Sequence, residues 1–284
     1  MSAPVPGGAV PRGDAPVPAR ALADLLSAGE RPPAPGPLAA SAVFGWRAVL
    51  KIRHLPEQLF DVTALPVVLV VMFTYLFGGA LAGSPREYVQ YLLPGVMVMS
   101  VVMTTAYTGI ALNNDIGGGV SDRFRALPVW RPATVVGYLL GDVLRYSIAS
   151  AVMLAAGLVL GFRPAGGASG VAAGVLLLLV FAFSFSWIGT TLGLLVRDEK
   201  TVTGASMAVI LPLNFLSDVF VDPGTMPGWL RTAVGHNPVT HAASAVRGLM
   251  DGRWPGAEVA WTLGWSAVLV AVFGSLTARL HDRG

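Results

Sequence analysis

Six stretches of about 20 largely apolar residues run through this chain, at 60–82, 91–112, 143–162, 171–196, 202–221 and 259–280. A helix rises 1.5 Å per residue, so about 20 residues cross a hydrocarbon core roughly 30 Å thick. Charged residues make up 12% of the chain, about half the share usual in soluble domains. The pattern predicts an all-α polytopic membrane protein with six transmembrane helices.

The flanks are different. Residues 1–37 hold nine of the 21 prolines and no apolar run of signal-peptide length, which predicts a disordered tail followed by a membrane domain over 38–284. Within 38–56, Arg47, Lys51 and His54 fall on one helical stripe while Val43, Trp46, Val49, Leu50, Ile52 and Leu55 cover most of the rest. That is an N-terminal amphipathic elbow helix suited to a membrane surface, or else a helix packed on its own protein. Pro132 is a favoured first helical residue, so the third helix is expected to extend below the membrane before its span begins.

Lys and Arg are distributed unevenly. If the N-terminus is cytosolic, thirteen lie in inner segments and five in outer ones, which predicts both termini in the cytosol. The long outer segment 222–257 carries two short helical patterns broken at 235–238, where Asn237 suits a cap and Pro238 a first helical residue. Val239, Ala242, Ala243, Val246, Leu249 and Met250 form one face, with His241, Ser244, Arg247 and Asp251 largely opposite. An extracellular re-entrant helical hairpin before the last span is the expectation.

No catalytic constellation is present. The four histidines (His54, His236, His241, His281) fall in three distant places without metal-ligand spacing, and cysteine is absent. Neither lysine, Lys51 or Lys200, follows a glycine, so the chain has no phosphate-binding G-x-x-x-x-G-K-[ST] loop and any ATP-driven work needs another polypeptide. A net charge of +3 spread over loops gives no case for nucleic acid. Asp142 and Arg145, three apart on a helix, form a charge pair that is either self-neutralising or part of coupling. Asp218 continues a polar line through Thr203, Met207, Asn214 and Ser217 that is expected to meet protein or a pathway rather than lipid. Met72 with Tyr75, and Met99 with Met103 and Tyr107, are either packing residues or soft linings for a hydrophobic substrate.

Between the second and third stretches lies "NNDIGGGVSDRFRALPVWRP" (113–132). Ser121 can cap a helix with Asp122 in its first turn, and Pro128 ends it. Phe124 and Leu127 give one apolar edge, flanked by Arg123 and Arg125. The segment is either a knob shaped for a groove in a soluble partner or a plain loop anchored by arginines.

The elbow and six stretches, the pattern D-x-x-x-G-x-x-D-R-F-R-A-L-P, "LLPGVM" at 92–97 and "MPGWLRTAVGHNPVTHAASAVRGLMDG" at 226–252 together resemble the permease subunits of type 2 ABC exporters. The resemblance is in particular to the daunorubicin-resistance permease family, over roughly residues 40–280. The resemblance implies a bacterial plasma-membrane permease working as a homodimer or close heterodimer, over two copies of an ABC ATPase subunit that binds ATP and Mg. It places the ATPase-coupling helix on Ser121, Asp122, Arg123, Phe124, Arg125 and Leu127, and the pathway between the first, second and fifth spans. The implied cargo is a hydrophobic or amphipathic drug, antibiotic or secondary metabolite. A lipid-linked polysaccharide exporter shares the layout, and a scaffold without transport is the reading from another class. The tail is longer than the family needs, and Gly117, Gly118 and Gly119 make an unusually loose hinge.

Overall fold

A computed structural model describes residues 56–117, 133–196 and 198–283. The tail predicted at 1–37, the elbow at 38–56 but for Pro56 itself, and the segment 121–127 lie outside the described residues. All regular elements among the described residues are helical: α1 (Pro56–Ala82), α2 (Pro85–Thr104), α3 (Ala106–Gly117), α4 (Ala133–Val159), α5 (Gly167–Leu195), α6 (Glu199–Phe215), α7 (Gly228–Gly235), α8 (Pro238–Met250), α9 (Gly256–Leu269) and α10 (Ser275–Arg283). Five stretches among the described residues are long and apolar enough to cross a membrane: Thr63–Ala82, Pro85–Asn114, Gly141–Val159, Gly167–Leu195 and Gly256–Leu280.

The second of these begins six residues earlier than the predicted 91. Gly83, at φ +77°, turns the chain out of α1, and Ser84 accepts a hydrogen bond from the Glu87 N–H (3.2 Å) with Pro85 first in the helix. A cap and an N1 proline outweigh the polarity of Arg86, Glu87 and Gln90, so the helix starts among them. The connection to α1 shrinks to two residues. α2 and α3 form this one span with a break at Thr105, where the Thr104 and Thr105 hydroxyls donate to the carbonyls of Ser100 (2.7 Å) and Val102 (2.6 Å). Such back-bonding bends helices.

Over the predicted fifth span, 202–221, the helix has different bounds. α6 is 17 residues long and is not among the five spans. It starts earlier than predicted because Asp198 accepts from the Thr201 N–H (3.0 Å). It stops at Phe215, after which the Leu216 N–H returns to the Pro212 carbonyl. The residues from 216 to 221 form a turn that carries Ser217, Asp218 and Val219 into the protein. Pro212, with no N–H of its own, weakens the helix just before this point.

α2 is the centre of the bundle. In the most apolar window of its span 78% of residues are buried, against 22% for the first span and 11% for the last. Leu92, Leu93, Val96 and Met97 have no exposed surface and share one cluster with Tyr146 and Met153 of α4, Phe181 and Phe185 of α5, and Val246 and Met250 of α8. The peripheral spans leave Tyr75, Leu76, Leu176, Val268 and Val272 exposed, as helices bordering lipid or another subunit do. The last span contains a wide turn at Val270–Gly274, of which periodicity gives no sign. It frees the Phe273 carbonyl, which accepts from the Thr191 hydroxyl of α5 (3.3 Å).

Candidate functional site

Two charged nodes are buried in this bundle, one near each end of the α2–α3 span. The first joins the turn after α6 to α2 and α8. Arg247 Nη1 donates to Asp218 Oδ2 (2.9 Å), Arg247 Nε to the Tyr91 carbonyl (3.0 Å), and Ser244 Oγ to the same Asp218 Oδ2 (2.7 Å). The guanidinium carbon lies 3.9 Å from the Tyr91 ring centroid. Tyr91 and Tyr88 donate from their hydroxyls to the carbonyls of Asp218 (2.7 Å) and Phe220 (2.9 Å). Side-chain exposure is 11% for Arg247 and 3% for Asp218. Charges so placed need pairing, and one carboxylate oxygen, Asp218 Oδ2, takes both the guanidinium and the Ser244 hydroxyl, while Asp218 Oδ1 is buried without a hydrogen-bond partner.

The stretch "LLPGVM" acquires a physical reason here. A Cβ on Gly95 would sit 3.0 Å from the Val219 carbonyl oxygen and 3.3 Å from Arg247 Nη2. Glycine at 95 therefore lets the turn and the guanidinium close on α2.

α8 is held by its cap. Asn237 Oδ1 accepts from the Val239 N–H (2.9 Å), while its Nδ2 donates to the carbonyls of Leu213 and Leu216, 2.6 Å each, at the end of α6. The predicted break at 235–238 is where α7 ends and α8 begins. The apolar face placed on α8 is buried. Arg247, assigned to the opposite face, is buried too, because it has a carboxylate partner on another element. On the far side of α8, His241 Nδ1 lies 2.5 Å from Glu258 Oε2 of α9, and its ring stacks on Trp261.

The second node joins α3 to α4. Thr108 Oγ1 donates to Asp142 Oδ2 (2.6 Å), and Arg145 Nη1 lies 3.3 Å from Asp142 Oδ1. Thr108 follows Tyr91 by 17 residues, about 26 Å along a helix, so the nodes are most of a membrane apart. Around Thr108, α3 lies backbone to backbone on α5. A Cβ on Gly193 would fall 2.5 Å from the Gly109 oxygen, and one on Gly109 would fall 2.3 Å from the Gly189 oxygen. Gly189-x-x-x-Gly193 is thus a small-residue seam of the kind that lets membrane helices touch. Asn113 Nδ2 donates across it to the carbonyls of Gly193 (3.2 Å) and Val196 (2.5 Å).

The remaining sequence-predicted residues are scattered. Met72 and Tyr75 sit on the exposed side of α1, Met99 is buried in the core of α2, and Met103 and Tyr107 are half-buried. One chain does not gather them on a single surface. Asn214 is fully buried, and neither its amide nitrogen nor its oxygen has a protein partner. Ser121, Asp122, Arg123, Phe124, Arg125 and Leu127 lie outside the described residues. Arg247, Ser244, Tyr91, Thr108 and the glycine seam were not singled out from sequence as site residues. A lone arginine between apolar residues of the 238–250 pattern, together with an aspartate at the end of an apolar stretch, was the available signal for the first three.

A helical bundle with five stretches among the described residues long and apolar enough to cross a membrane belongs to the class of polytopic membrane proteins. Residues 41–250 match the ABC-2 type transporter family, and the chain belongs to that family as a membrane-spanning transport subunit. It is 51% identical over 260 residues, 92% of each chain, to the daunorubicin resistance ABC transporter permease protein of Streptomyces coeruleorubidus. It is 23% identical over 246 residues, 84% of this chain and 89% of the other, to a probable doxorubicin resistance ABC transporter permease protein of Mycobacterium tuberculosis.

Proposed function

We propose that this chain is the permease of an ATP-driven exporter that moves an amphipathic, drug-like compound, of the anthracycline type named for its relatives, out of a bacterial cell. The observation carrying this is the 51% identity along 92% of a daunorubicin resistance permease. In this reading ATP and Mg bind a separate ABC ATPase, two copies of which serve a permease homodimer, in keeping with a sequence that has no phosphate-binding loop of its own. Phe124 and Leu127, flanked by Arg123 and Arg125 in a cytosolic segment, supply an edge for docking it.

In this reading there are six spans. α6 with its terminal turn completes the set, its 17 residues rising about 26 Å against a core of roughly 30 Å. Both termini are cytosolic, following the positive-inside asymmetry, and α7–α8 is a re-entrant hairpin on the outer side. Met72 and Tyr75 on the exposed face of α1 and exposed Phe215 at the end of α6 border the second protomer and the substrate path. Phe73 links these two helix ends, 5.0 Å from Phe220, which stacks on Phe215.

The test is reconstitution with the cognate ATPase in liposomes. ATP should drive daunorubicin, followed by its fluorescence, into vesicles whose ATPase faces outward. A complex that hydrolyses ATP but moves neither daunorubicin nor related amphiphiles would end this reading.

A further inference from the structure

We infer that Thr108 and Asp142 are positioning residues that make α3 and α4 a single lever beneath the segment that joins them. The inference rests on the reading that this segment docks an ATPase, and it concerns how a push on it reaches the membrane. α3 ends at Gly117 and α4 begins at Ala133. Thr108 lies nine residues before the first boundary and Asp142 nine after the second, so one hydrogen bond of 2.6 Å ties the two arms at equal depth.

The two arms meet the segment differently. On the α3 side the sequence reads Gly117-Gly118-Gly119, glycine being the residue whose backbone is least restricted. From Val120 to Pro132 there is no glycine. In this reading a push on 121–127 is shared between the two arms by the cross-link from Thr108 to Asp142. Thr108 supplies that link, and α3 passes it on. Gly109 rests on Gly189 and Gly193 at backbone contact, and Asn113 holds the carbonyls of Gly193 and Val196. On its other side α3 joins α2 at the back-bonded break around Thr105, while α2 is fastened at its far end by Tyr91 and Arg247. The lower half of the span is thus tied to α4 and α5, with the bend between it and the anchored half.

Charge neutralisation does not need Thr108. Arg145 on the same helix already faces Asp142 Oδ1 at 3.3 Å, so a self-contained pair would be complete within α4. The threonine hydroxyl is what crosses between helices, and replacing it isolates the lever from the ion pair.

The experiment compares Thr108→Val, which removes the donor, with Thr108→Ser, which keeps it, in the full permease–ATPase complex in liposomes. The chain has no cysteine, so Asn114→Cys, exposed near the end of α3, can carry an environment-sensitive maleimide probe. Thr108→Val should leave complex yield and ATP hydrolysis near those of the unsubstituted complex. It should lower transport about tenfold, within the range by which single residues on a coupling path act, and silence the probe's response to ATP with vanadate. Thr108→Ser should restore both. Transport and probe response unchanged in Thr108→Val would overturn the lever. So would equal loss of ATPase binding, thermal stability and transport without rescue by serine, since Thr108 would then be a packing residue. If no amphiphile is transported yet the probe responds to nucleotide only when the hydroxyl is present, the lever stands and the cargo assignment falls.

Discussion

Removing the arginine of the node formed by Arg247 and Asp218 isolates one buried interaction whose cost can be worked from its geometry. Arg247→Met keeps the aliphatic stem and its packing but deletes the bond to Asp218 Oδ2, the bond to the Tyr91 carbonyl and the stacking on the Tyr91 ring. Asp218 would then be a carboxylate, 3% exposed, with the Ser244 hydroxyl as its remaining side-chain donor. Removing one partner of a buried pair costs about 3–5 kcal/mol, whereas replacing both by neutral groups of similar size is often near zero. At about 2–4 °C per kcal/mol for a domain of this order of size, the thermal midpoint should fall by about 6–20 °C. Asp218→Asn combined with Arg247→Met should recover most of that loss. The midpoint would be followed in detergent by size-exclusion recovery after heating, with all three variants forming a double-mutant cycle. A fall under about 2 °C in Arg247→Met would mean the pair contributes little. A double variant no better than the single would mean the arginine acts through packing alone.

Four further outcomes are expected. Asn237→Ala should destabilise by about 1–3 kcal/mol, losing the α8 cap and leaving the Leu213 and Leu216 carbonyls short of a donor; a neutral result by the same thermal assay would contradict the bonding described. Gly193→Ala, whose Cβ would fall 2.5 Å from the Gly109 oxygen, should lower the midpoint, while Gly204→Ala, with nothing within 4 Å, should leave it unchanged or raise it. A reporter fused after Leu280 should read cytosolic and one inserted at Gly252 external; the reverse at either site would refute the orientation. Phe124→Ala with Arg125→Glu should insert normally yet release the ATPase from the purified complex, because an apolar edge is lost and the charge that sets orientation is inverted; undiminished co-purification would make 121–127 an ordinary loop.

What the sequence made legible follows from the range of the interactions involved. The spans announce themselves because the demand of hydrocarbon for about 20 apolar residues is local, and the Asn237–Pro238 start of α8 because a cap acts within four residues. The early start of α2 was legible in principle, since Ser84, Pro85 and Glu87 form a cap signal, but hydropathy pulled the boundary inward to Tyr91. The end of α6 was not, because Phe215-Leu216 reads as apolar as the helix before it. What ends that helix is Asp218 turning to meet Arg247, 29 residues away on another element. The same holds for Thr108, which looks like one more threonine in a membrane helix until Asp142 lies opposite. Polar residues inside a membrane are costly when alone and inexpensive when paired, so their partners, and with them the function of the pair, become visible only when the helices are brought together. A lone intramembrane charge in such a chain is therefore best read as half of an unassigned contact: Asp218 called for a cation from the outer segment, and Arg247 was the residue there set among apolar neighbours.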